Sequence, residues 1–90
     1  MPSYLVETYL ARGHAAERAA CERRARSAAD RLTRESTPVR FDHSIHVPED
    51  EICFFIFDAP SGGDAALAAQ HAELDPIRVV EGISSGKEEA

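Results

Sequence analysis

Residues Glu51–Asp58 read EICFFIFD, and Ile52, Cys53, Phe54, Phe55, Ile56 and Phe57 leave no polar side chain on either alternate face. Apolar residues on both faces mean a strand covered on both sides. The segment before it behaves differently. In Val39–Val47, Val39, Phe41, His43, Ile45 and Val47 fall on one side, and Arg40, Asp42, Ser44 and His46 on the other. A period of two with one apolar side predicts a strand with a single buried face. Val47-Pro48-Glu49-Asp50 joins the two, with Pro48 fixing φ and the acids staying in water. The chain therefore carries a hairpin of one central and one peripheral strand, and its other segments must cover the central one.

Those segments alternate in type. Tyr4–Leu10 is rich in β-branched and aromatic residues. Its two faces, Tyr4-Val6-Thr8-Leu10 and Leu5-Glu7-Tyr9, are both largely apolar, which places it centrally. His14–Glu35 is rich in Ala, Glu and Arg, all strong helix formers. Cys21, Ala25, Ala28 and Leu32 recur there at spacings of four, three and four, forming one narrow apolar stripe. Arg31 and Arg34 in the last turn complement the helix dipole. Ser36-Thr37-Pro38 breaks this helix. Ser61, with Asp64 three residues on, is placed to cap a second helix. Ala65–Leu74 follows, with Leu67, His71 and Leu74 on one side, and Ile77–Ile83 is a last strand.

The order βαββαβ predicts an α+β, ferredoxin-like fold: a four-stranded antiparallel sheet, both helices on one face, the first and third strands central. Residues 1–83 are expected to form one such domain, with 84–90, small, polar and charged, a disordered tail. Helices on one face leave the other bare, and a bare apolar face needs a partner, a ligand or a second sheet. Sheet-to-sheet dimerisation into a dimeric α/β barrel is the expected solution. Size points the same way. A chain of 90 residues buries only roughly 60–65% of its unfolded surface, and much of its hydrophobic content is alanine, which covers little area.

The formal charge of −6 argues against a nucleic-acid or anionic-membrane binder. Arg18, Arg23, Arg24, Arg26, Arg31 and Arg34 lie mostly off the apolar stripe among acids, and read as a solvated face. No run approaches membrane-spanning length, and MPSYLVETYL is too short and polar for a signal peptide. Cys21 and Cys53 make neither a disulfide framework nor a C-x-x-C pair, so a reducing, cytoplasmic setting is expected.

Tyr4-Leu5-Val6-Glu7, Thr37-Pro38-Val39-Arg40, Val47-Pro48-Glu49-Asp50-Glu51, Cys53-Phe54, Ala59-Pro60-Ser61 and Val80-Glu81 together span most of the chain. In this combination the chain resembles a family of small bacterial proteins known mainly as a domain of unknown function, with a nickel-binding member. The resemblance implies a ferredoxin-like fold, a homodimer of the α/β-barrel kind, a cytoplasmic setting, and binding of a metal ion such as nickel or of a small molecule. It implies no particular reaction. Where the nickel-binding member is expected to have histidine-containing segments after the second helix, this chain reads Gln70-His71-Ala72-Glu73-Leu74, with Leu74 where a second imidazole would stand.

The residues themselves offer several candidate groups. His43 and His46 are three apart on a strand, so without a bulge they face opposite sides and cannot share one ion. His43 and His71 both lie on otherwise apolar faces and are expected to converge between helix and sheet. There they act either as metal ligands or an acid–base pair, or as hydrogen-bonded core residues. Glu7 in a central strand must face a pocket or be paired with an Arg such as Arg40 or Arg78. Glu7, Tyr9 and Glu81 are expected to line the open sheet face. Cys53 among apolar neighbours reads as packing.

Two functions follow from these groups. One is a small-molecule or metal-ion binding protein using Glu7, Tyr9, Phe41, His43, His71 and Glu81, with His43 and His71 as the metal ligands. The other is a cofactor-independent cyclase, isomerase or oxygenase acting on an apolar biosynthetic intermediate, its pocket shaped by Phe41, Phe54, Phe55 and Phe57.

Overall fold

The structure, a computed structural model, describes residues 1–85; the predicted tail from residue 86 onward lies outside the described residues. Strands β1 (Ser3–Tyr9), β2 (Arg40–Val47), β3 (Ile52–Asp58) and β4 (Arg78–Gly82) and helices α1 (Ala15–Arg34) and α2 (Gly62–His71) follow in the order β1-α1-β2-β3-α2-β4. The sheet order is β2-β3-β1-β4, with β1 antiparallel to β3 and β4, and β2 antiparallel to β3. This is the split βαβ, ferredoxin-like topology, and the two strands apolar on both faces occupy its centre. The smallest dimension, 18 Å, has room for two layers, since packed elements lie about 10 Å apart.

Local chemistry sets the element ends. Ser61 Oγ accepts from the backbone N–H of Asp64 at 3.2 Å, capping α2. The hairpin turn Pro48–Asp50 is a short 3₁₀ helix, closed by Glu51 in the left-handed region at φ 54°. Past α1, Ser36 at φ 81° reverses the chain, and Thr33 Oγ1 donates to the carbonyl of Val39 while accepting its N–H.

The core lies between sheet and helices. Val6 from β1, Phe41 from β2, and Cys53, Phe55 and Phe57 from β3 face Ala25, Ala28, Ala29 and Leu32 of α1 and Ala65, Ala68 and Ala69 of α2. The alanines let both helices settle close to the sheet, and the three aromatics fill the remaining depth. Phe41 packs on Phe57 at 5.4 Å and on Phe55 at 6.2 Å between centroids. The guanidinium of Arg26 covers the Phe41 ring at 5.2 Å.

Two expectations about faces are corrected. On α2 the buried side is Ala65, Ala68 and Ala69, while Leu67 and His71 point outward. The larger apolar residues marked the wrong side because the close helix–sheet spacing admits only alanine there. On β2, strict alternation fails. Phe41 pairs with Phe57 but His43 pairs with Ile56, so Asp42 is an extra residue in a β-bulge. The bulge reverses the faces beyond it: His43, Ile45 and Val47 turn to the open side, and Ser44 turns inward.

Candidate functional site

The uncovered face of the sheet is built of four cross-strand rows: Arg40-Asp58-Ser3-Gly82, His43-Ile56-Leu5-Val80, Ile45-Phe54-Glu7-Arg78, and Val47-Ile52-Tyr9. The first row is polar. The Asp58 carboxylate, buried at the sheet end, accepts from Ser3 Oγ at 2.7 Å and from Arg40, whose guanidinium is held above its ordinary pKa by that bond and charge. The second row is apolar apart from His43. In the third, Arg78 Nε donates to Glu7 Oε1 at 2.7 Å across adjacent strands. Glu7 is thus paired with one of the two arginines expected of it, and its side chain is only 16% exposed. Tyr9 and Ile45 stand well out of the surface, at 65% and 48% exposed.

A hollow of about 340 Å³ opens on this face, with Ser3, Leu5 and Ile56 along the sheet, Asp42 and His43 on one side, and Gly82, Ile83 and Ser84 on the other. Gly82 makes room for it. A Cβ at that position would run into the Leu5 side chain, so any larger residue forces Leu5 aside. His43 Nδ1 lies 2.8 Å from Asp42 Oδ2. A carboxylate only accepts, so Nδ1 carries a proton towards Asp42, and in the neutral form of the ring the lone pair is then on Nε2. The bulge creates this pair, since on a regular strand neighbouring residues point to opposite faces.

Of the six residues expected to form a site, three share the open face: Glu7, Tyr9 and His43. The other three do not. Phe41 is 5% exposed inside the core. Glu81 pairs in register with Tyr4, on the helix-side parity, and is exposed. His71 lies on the outer side of α2, so His43 and His71 are separated by the sheet and do not converge. Phe55 and Phe57 are also core residues; of the four phenylalanines, Phe54 alone faces the open side.

The residues do not fit a nickel ion at the expected place, because its two imidazoles lie in different layers. Among the described residues, no three of His, Cys, Asp and Glu gather as a metal-holding group. His46, the other strand histidine, is spent on the carbonyl of Leu10, 3.2 Å from its Nε2. Asp42 and Ile83 were missed as site residues. Nothing in the sequence signals the bulge, and the last strand's register is not written in its composition.

On the helix side, Ser44 Oγ accepts from Arg18 Nε at 3.0 Å and donates to Glu22. Cys53, fully buried, has its thiol pushed up to about 11 by loss of hydration, so it is inert packing. No helix among the described residues is long and apolar enough to cross a membrane. No family model, no curated protein and no solved structure matches this chain.

Proposed function

We propose that the chain is a small-molecule-binding protein that acts as a homodimer, with its ligand held on the open sheet face between two copies. The observation that carries this reading is the hollow beside His43, set in a face of Leu5, Ile45, Phe54 and Val80 that neither helix covers among the described residues. A two-fold arrangement sets this patch against itself. It would enclose a ligand with an apolar body and one polar end within reach of His43 Nε2.

Sedimentation and Nile red fluorescence test this together. The expected particle has twice the 9.8 kDa of the chain and takes up the neutral dye with a rise in emission. Ile45→Glu, placing a charge in the apolar row, is expected to give monomers and abolish the emission. A monomeric parent protein, or a dimer indifferent to Ile45→Glu, refutes the reading.

The Asp42–His43 pair favours a second reading, a cofactor-independent enzyme of the dimeric α/β-barrel kind. An imidazole oriented by a carboxylate, with a free Nε2 at the rim of an apolar hollow, is suited to removing a proton from a bound carbonyl compound. The reaction class is isomerisation or cyclisation through an enolate, the proton leaving to Nε2 and returning at another atom. His43→Gln separates the readings: a pure binder keeps some affinity and has no turnover to lose, whereas an enzyme keeps its ligand and loses proton exchange into solvent deuterium.

A further inference from the structure

We propose that the cleft between α1 and α2 binds a small phosphate-bearing anion. The cleft lies in the helix layer, across the sheet from the open face, and owes nothing to the reading above. Arg23, Arg24, Ser27 and Arg31 of α1 and His71 at the end of α2 surround a hollow of about 280 Å³, with Ala28 also in its lining. Arg23, Ser27 and Arg31 recur at spacings of four, one row along the helix. The small Ser27 and Ala28 leave the depth between the arginines open.

Charge is segregated here. Acids outnumber lysines and arginines sixteen to ten in the chain, yet among the described residues no carboxylate lines this cleft. Arg24 is anchored, its Nε donating to the carbonyl of Ala72 at 2.8 Å, which ties α1 to the end of α2 and fixes one wall. Arg31 has a single loose contact, Glu35 at 3.4 Å, with both side chains more than half exposed; such a pair is readily exchanged for a better anion. The Arg23 side chain makes no hydrogen bond or ion pair with any described residue.

The geometry favours phosphate over carboxylate. One guanidinium satisfies a planar carboxylate through two parallel bonds. Guanidinium groups of α1 and an imidazole of α2, with a serine hydroxyl between them, suit the several oxygens and higher charge of a phosphate group. The volume lies just below the about 300–1,000 Å³ of ordinary small-molecule sites, which fits one phosphate group with a small organic body. An extended nucleic-acid strand needs a run of phosphate contacts and a basic surface overall, and this chain carries −6.

Calorimetric titration with inorganic phosphate, with adenosine monophosphate and with a mixed-sequence single-stranded oligonucleotide tests the proposal, with the histidine ring resonances followed by NMR. One saturable site per chain for at least one of the two small probes is expected, and its filling should shift the His71 ring signals. Tighter binding of the monophosphate points to an organic phosphate as the natural ligand, and equal binding to the free ion. Arg23→Gln and Arg31→Gln are each expected to weaken binding about tenfold with unchanged melting. Arg34→Gln, on the same helix but outside the cleft, is expected to leave it unchanged. Absence of a saturable site, equal loss in Arg34→Gln, or preference for the oligonucleotide overturns the proposal.

Discussion

Two single-residue deletions in β2 isolate what the bulge does. Between Phe41 and Ile45 the strand holds Asp42, His43 and Ser44, while the partner strand holds only Ile56 and Phe55 between their mates. Deleting Asp42 leaves His43 opposite Ile56 and Ser44 opposite Phe55, as they are now, in a regular ladder. Asp42 is exposed, bonded to His43 and acting on Arg40 only through its charge, so the expected change in stability is within about 1 kcal/mol. Deleting Ser44 also gives a regular ladder, but one with Asp42 outside and His43 inside. That replaces a side chain 7% exposed with a larger imidazole, for about 1–3 kcal/mol of overpacking. It also strips Arg18 and Glu22 of the hydroxyl they share, for about 1–3 kcal/mol more. The two deletions should therefore differ by about 1–7 kcal/mol. Urea unfolding followed by far-UV circular dichroism reads this as a midpoint difference at a common slope. Equal midpoints, or a lower one for the Asp42 deletion, would refute the account of the bulge.

Further outcomes follow from the same structure. Phe57→Ala should cost about 3–5 kcal/mol, since the ring is fully buried against Phe41. A domain of this size has about 5–13 kcal/mol in all, so thermal melting should fall by tens of degrees. Ser61→Ala removes the cap on Asp64 N–H and should cost about 1 kcal/mol by the same assay. Alkaline stability tests the burial of Cys53. Its thiol titrates near 11 when folded against an ordinary 9.0, so between those values the unfolded chain loses a proton that the folded chain keeps. Stability attributable to this group is full below pH 9.0 and lost as pH rises through about 11. The loss is at most about 3 kcal/mol and should be absent from the Cys53→Ala variant's pH slope.

What the chain determined locally was the kind and order of its elements. EICFFIFD is a covered strand wherever it sits, because its apolar residues occupy both alternate faces. From that and the flanking helices, the central placement of β1 and β3 followed, along with a far side of the sheet that carries neither helix. Glu7 needing a partner was equally legible, since a carboxylate in a covered strand cannot stand alone. Only the tertiary structure decided which side chains share a face. One unpaired residue, Asp42, carries His43 from the core to the open side, because side-chain direction in a strand depends on the parity of every residue before it. The close seating of α2 turns its alanines inward and leaves His71 outside, because spacing between layers, not hydrophobicity alone, selects the buried side.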